Sequence, residues 1–537
     1  MKEGGTCKER YARLENEREQ FLTRARKCAE LTIPTLLPPN GASSSTIYYT
    51  PWQGVGARGV NNLASKLLMS LLPPNAPFFR FGVDDFTMQK ITGQEGMRAE
   101  VEKGLAKAER AIMAKMERVG LRPPVFASLK QLLVAGNVIL HLPKSSPARV
   151  YRLDSFVVKR DLEGNVLEVI LKDEVSPLAL SDHERQYLDT TADGKPKLES
   201  DKPGPDDANE KSVEVYTRMY RDLRSWKVYQ EINGKKVEGS EGSYPLAKAP
   251  MLVLRWTAID GEDYGRSYVE EYIGDLISLE GLSKSIVESS ATAARTVWLV
   301  NPNGLTNVSD LSKAESGDYV SGRTEDVNAL QSQKQADLRV AFEAANRLSE
   351  RLAQAFLLAS SVQRQADRVT AEEIRVMAAE LEDALGGVYS LLSQEFQLPL
   401  VNRVMDIMVK GKELPQLPEE IVNPQIVTGL DALGRGHDLQ KYQMFSSALQ
   451  PFGPEVLAQY MNVGDYIERI ATALGIDSGG LIKDQQQMAQ DQDAMQDQMQ
   501  QGQMMDMIKK LGPAAIKSGA DLSEASAAMG QTEPPQG

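Results

Sequence analysis

Residues 50–68 read TPWQGVGARGVNNLASKLL. Inside them, Gly54-Val55-Gly56-Ala57-Arg58-Gly59 matches G-x-G-x-x-G, the pattern of a dinucleotide-binding turn. That turn needs a buried strand before it, a helix opening within it and an acidic residue about twenty positions on. Here TIYYTPWQ precedes the glycines, and Pro51 would spoil a central strand. Near position 79 the text is PFFRFGV; Asp84 lies too far along, and no strand–helix alternation intervenes. The pattern is therefore read as a tight loop entering the helix NNLASKLLMSLL, which Pro73-Pro74 ends. Its glycines would serve close packing, and Arg58 would be an ion-pair partner rather than a phosphate ligand.

Outward from this block, the totals describe a water-soluble chain of several substructures. At 537 residues it exceeds one ordinary core, with 42% hydrophobic and 25% charged residues. No run of eighteen apolar residues offers a membrane span. The opening MKEGGTCKERYARLENEREQ is charged throughout, unlike a signal peptide, so a cytoplasmic start is expected. A net charge of −13 argues against a broad basic face that grips nucleic acid. It leaves room for a protein that lets DNA pass without holding it. Two cysteines and three scattered histidines are too few for a disulfide framework or a metal cluster.

The spacing predicts helices over 8–32, after the glycine block, over 97–119 and over FASLKQLLVAG, which ends at Gly136. From Asn137 to Val175 the text turns β-branched and alternating, with a hairpin turn at Glu163-Gly164-Asn165. The polar span 189–211 reads as a surface loop. SVEVYTRMY, WKVYQEI and MLVLRW read as further strands, the last two separated by Asn233-Gly234. Then residues 268–298 read as one helix of about 45 Å, and 336–358 as a second, carrying Leu338, Phe342, Leu348, Leu352 and Phe356. Turn-rich text at 301–335 separates them. A capping box at Thr370 and Glu373 opens a long helix, with bends expected at Gly386-Gly387 and Pro399. Shorter helices follow to 482. The Gln/Met-rich tail fits either a helix with a methionine stripe or disorder, and the end past Gly519 reads as disordered.

No phosphate loop, H-E-x-x-H, G-x-S-x-G or C-x-x-C occurs. His141, His183 and His437 have no spaced partner and read as surface or edge residues. Carboxylates sit on helices with basic residues three or four positions away, as Glu350 near Arg347, a pattern of solvated or intersubunit faces. Long helices, much charge and no reaction centre describe a structural or assembly protein, not an enzyme.

Five blocks carry a resemblance: 50–68, LKQLLVAGNVIL (129–140), DGEDYGRSYVEEYIGDLISLE (260–280), RVTAEEIRVMAAELEDALGGVYSLLSQEFQLPLV (368–401) and ATALGID (471–477). In collinear order over residues 8–482, the chain resembles the portal, or head-to-tail connector, proteins of short-tailed, autographivirus-type phages. The loop at 189–211 and the tail fit that family least. The resemblance implies an α+β, mainly α portal fold in a ring of twelve subunits at one vertex of the phage head. It implies a wing over 1–267, stem helices over 268–299 and 336–358, and a clip over 300–335 between them. A channel loop over 359–370, a kinked wing helix over 371–415, a crown over 416–482 and a barrel helix with a disordered tail over 483–537 complete the parts.

By the same resemblance, double-stranded DNA passes through the ring during packaging and ejection. The implied partners are the major capsid and scaffold proteins, the terminase large subunit, a tail adaptor or tail tube protein and internal core proteins. A membrane and a cofactor are not implied. The expected location is the virion vertex, with the host cytoplasm during assembly; the alternative is another virion or ejected internal protein. Twelve copies would carry about −156 formal charges, which keeps phosphates from sticking to the channel. Contact is then expected from few cations: Arg364 and Arg368 in the channel loop, and Arg339 and Arg347 on the second stem helix. Each could instead pair with Glu343, Glu350 or Asp367 between subunits. Tyr319, Arg323 and Asp326 of the clip are expected to form the docking surface for terminase and tail.

Overall fold

Thr6 and Glu9 start the first helix by exchanging hydrogen bonds, each side chain meeting the other's backbone N–H at 3.3 Å. Helix α1 then runs Cys7–Glu30. The structure is a computed structural model. It describes residues 5–42, 45–74, 77–82, 96–144, 146–188, 212–293, 297–330, 335–358, 381, 384–415, 423–426, 444–449, 466, 467 and 470. The chain divides into two units, Met1–Leu433 and Gly434–Gly537. In the second, residues 444–449 are helical. The channel-loop, crown and tail readings, the loop at 189–211 and the Thr370 cap lie wholly or mostly outside the described residues.

In the first unit, α1 buries Tyr11, Leu14, Phe21, Leu22, Ala25 and Ala29, as its periodicity predicts, together with Cys7 and Cys28, both free thiols. Arg18 shares that buried stripe and is held by the Tyr11 hydroxyl and the carbonyls of Asp154 and Phe156 at 2.8–3.0 Å. Helix α2 spans Val55–Leu71, so the glycine pattern is not a loop before a helix but the helix's first turn. Gln53 explains the difference: its Oε1 accepts Gly56 N–H at 2.9 Å and its Nε2 donates to Leu31 O. A glutamine does the work usually given to Ser, Thr, Asp or Asn. Among the described residues Arg58 has no ion-pair partner.

Helices α3 (Gly96–Arg118) and α4 (Arg122–Ala135) follow. Gly136 ends α4 at φ 72, where an added Cβ would lie 2.6 Å from the Arg266 carbonyl carbon. Strand β1 (Phe79–Gly82) pairs with residues 423–426. Strands β2 (Asn137–His141) and β3 (Arg149–Tyr151) form one sheet. Strands β4 (Phe156–Arg160), β5 (Val166–Val175), β6 (Val213–Arg221), β7 (Ser225–Ile232) and β8 (Lys235–Lys236) are neighbours in a second, antiparallel one. Asn233 and Gly234, at φ 50 and 72, turn β7 into β8. The turn does not lead to MLVLRW as read above. That strand, β9 (Met251–Arg255), joins β2 in the first sheet, with Met251 opposite His141. His141 thus ends a middle strand and is half-buried, not a surface or edge residue.

The helical half departs from its reading at three places. The helix expected over 268–298 breaks at Tyr272, giving α5 (Tyr268–Glu271) and α6 (Ile273–Ala293). Residues Val297–Val300 are strand β10, paired antiparallel with β11 (Val327–Leu330), so the turn-rich insertion rises on a two-stranded stalk. Helix α7 then spans Gln335–Ala355. The long helix stays helical through Gly386-Gly387 and turns irregular at Ser393–Gln397, a π turn just before α8 (Leu398–Lys410). Leu398 N–H reaches back to Ser393 O there. The wider turn accommodates the ring of Pro399, which cannot donate.

Candidate functional site

Helices α6 and α7 lie antiparallel and give the site its frame. They meet through Leu276 and Leu279 on one side and Ala345, Leu352 and Phe356 on the other, all buried. Of the apolar stripe read from the sequence, Leu352 and Phe356 are buried, Leu338 and Leu348 are half-buried, and Phe342 stands exposed; Ala345 completes the contact instead. Near the body, Tyr268 meets Tyr272 and Phe356 edge-on, the three ring centroids lying 5.2–6.0 Å apart, and Tyr268 OH donates to Ala355 O at 2.6 Å. Burial pushes the Tyr268 phenol well above its ordinary range, so this donor keeps its proton. Arg351 grips Asp275 with two nitrogens, one at 2.7 Å. Just past the end of α7, the carbonyls of Phe356 and Leu357 accept hydrogen bonds from Asn62 and Lys66 of α2.

Away from the body the pair changes character. Residues Val287 to Thr292 of α6 are exposed at every position. On α7, Val340 and Phe342 are 69% and 57% exposed. Arg339 is exposed beside them, and Arg347 forms an exposed pair with Glu343 at 2.7 Å. The expected partner type for Arg347 is present within one chain, one helical turn away. Arg364 and Arg368 lie outside the described residues.

The insertion closes on itself through Asp326. Its carboxylate accepts the Leu305 N–H and the Thr306 hydroxyl, both at 3.0 Å, and its carbonyl accepts Asn301 N–H at 2.8 Å. Asp326 is buried, so its part in any outer surface is to hold the loop. Tyr319 is fully exposed and Arg323 is exposed, its backbone N–H tied to Thr306 Oγ1 at 3.0 Å. Trp298, Leu299, Leu305 and Val308 add exposed apolar surface along stalk and loop.

Reading motifs one at a time did not find Asn62, Lys66, Glu280, Asp275 or Arg351. The usable signal was the intactness of the blocks 50–68 and 260–280, which hold four of the five, all but Arg351. Among the described residues no group of three or more His, Cys, Asp or Glu could hold a metal ion. Among them, no helix is long and apolar enough to cross a membrane.

The two packed helices and the looped insertion between them in sequence fall within the residues that the resemblance assigns to stem and clip. A family model described as bacteriophage head to tail connecting protein matches residues 4–482, and the chain belongs to that family. It is 42% identical over 525 residues to the portal protein of Escherichia phage T7, covering 95% of this chain and 96% of that one. To the portal protein of Enterobacteria phage T3 it is 43% identical over 498 residues, covering 91% of each chain. Among solved structures, the neck of an empty GTA particle computed with C6 symmetry aligns at a TM-score of 0.35 and 12% identity, over 73% of this chain and 86% of that one.

Proposed function

We propose that this chain is a portal protein: copies of it close a ring at one vertex of a phage head. The ring is the channel for packaging and ejecting double-stranded DNA and the seat of the tail. The observation that carries the reading is the helix pair. Its outer half leaves Val340 and Phe342 in water, and in a ring neighbouring copies cover them. End-to-end similarity to phage portal proteins supports the same conclusion. Capsid and scaffold proteins, internal core proteins, the terminase large subunit and a tail adaptor are the corresponding partners, met first in the host cytoplasm. The chain supplies no motor, so packaging work falls to the terminase.

In this reading, Arg339, Arg347, Arg364 and Arg368 meet passing phosphates, while Tyr319 and Arg323, on the loop that Asp326 holds, face the terminase and tail. Images of the purified particle averaged down its axis test the whole: a closed ring with a central hole is expected. A monomer or open filament would favour an internal protein ejected with the genome. For the cations, removing Arg364 and Arg368 together should leave rings intact and lower packaged-genome yield; unchanged yield removes them from the channel. Deleting residues 305–325 should abolish tail attachment, and tails attached as usual would move the docking surface elsewhere.

A further inference from the structure

The block 50–68 touches both members of the helix pair. Glu280 of α6 accepts the backbone N–H groups of Trp52 at 3.0 Å and Gln53 at 3.2 Å. Farther along, Gly59 faces the Phe356 ring so closely that an added Cβ would lie 2.5 Å from Cγ. Asn62 Nδ2 then donates to the carbonyls of Phe356 and Leu357, both at 3.1 Å, and Lys66 Nζ donates to Leu357 O at 3.1 Å. These carbonyls stand where the helix has ended and offers them no partner of its own, so the donors of α2 satisfy them. Leu357 itself sits at φ 54, a left-handed conformation that a leucine rarely adopts without being held.

We propose that residues 52–66 are a bracket that fixes the tilt of the helix pair against the body, and that this tilt decides how many copies close a ring. The inference rests on the portal reading above. A head-to-tail ring closes only when the rotation between neighbours divides a full turn, and otherwise runs on as a helix. Twelve copies need about 30° per step and thirteen about 28°. Helix α6 is about 30 Å long, so a two-degree change at its base moves the far end by about 1 Å. The attachments named here all lie at the end of the pair nearest the body. The Gly59–Phe356 contact sets backbone directly against a ring, with no flexible side chain between to absorb a change in angle. Asn62 and Lys66 are thus positioning residues, and a lost donor is read out as geometry.

Native mass spectrometry of rings of the full chain tests this. The double variant Asn62→Leu with Lys66→Met removes both donors. Lys66→Arg keeps a donor at 66 and leaves Asn62 in place, and Ser70→Ala weakens the same helix elsewhere by losing its 2.6 Å bond to the Tyr389 hydroxyl. The double variant should lower the share of rings with the dominant copy number by more than half, with the adjacent numbers gaining. Lys66→Arg and Ser70→Ala should keep the unaltered distribution. An unaltered distribution in the double variant overturns the proposal, as does equal broadening in Ser70→Ala. If the double variant yields no folded chain, Lys66→Met against Lys66→Arg decides on the same criterion. Failure of the unaltered chain to form rings would instead strike the portal reading and is visible before any variant is compared.

Discussion

The body and the helix pair solve burial in opposite ways. In the body, deeply buried charges are answered from within the chain. Glu395, aimed by the π turn, accepts two bonds from the Arg255 guanidinium at 2.7 and 3.2 Å and one from its backbone N–H, with Arg160 3.8 Å away. Burial pushes Arg160 down to about 10 against the pull of Glu395, which still leaves it charged at neutral pH. Along the outer helix pair the situation is reversed: charges stand in water and large apolar side chains stand beside them. The contrast teaches that the body meets its deeply buried charges with its own groups, whereas the outer part of the pair sets exposed apolar side chains beside charges that stand in water.

The sharpest way to break this comparison is to replace Val340 and Phe342 by serine together. Ring assembly should be lost, by sedimentation or native mass spectrometry, while the melting temperature of the single chain stays near its original value. A fall in that melting temperature would mean the two side chains already serve the isolated fold. The next effect is in the body. Glu395→Gln leaves two buried guanidiniums short of their counter-charge and should cost about 3–5 kcal/mol in denaturant unfolding. A loss no larger than that of an exposed pair, about 0.5 kcal/mol, would show that water reaches the cluster.

The smallest effect is confined to acid. Burial, then Arg149 and Arg403, holds His141 down to about 4, with Asp173 pulling the other way. The folded state therefore favours the neutral ring, while the unfolded chain protonates near 6.5. Stability from this group is full above about 6.5 and is lost as the pH falls toward 4. His141→Gln should flatten the pH dependence of stability in that window; an unchanged slope would assign it to other groups.

Much of the frame was legible before the structure. Gly136 and Asn233-Gly234 each mark a boundary through local chemistry alone, and the α7 stripe was right at Leu352 and Phe356 but not at Phe342, which is exposed. The α6 boundary was not legible because VWLV, at 297–300, is apolar enough to continue a helix. Only the register with Val327–Leu330 makes it a strand. The start of α2 was hidden because its cap comes from a glutamine two residues before the helix. The roles of Asn62 and Lys66 depend on carbonyls almost three hundred positions away, which no window of sequence can contain. The expected channel arginines divide in the same manner: Arg347 was legible as one of a charged helix pair, but which side of a ring it faces is a property of several chains at once.

The two thiols have a chemical corollary. Cys7 and Cys28 lie fully buried in α1, and burial pushes them up to about 12 and about 11. Neither offers an appreciable thiolate at neutral pH, and neither has its sulfur at the chain's surface. Buried thiols of this kind resist both disulfide exchange and the first oxidation to sulfenic acid. The same silence makes the protein a blank background, on which a single cysteine placed anywhere on the surface would be the one that reacts.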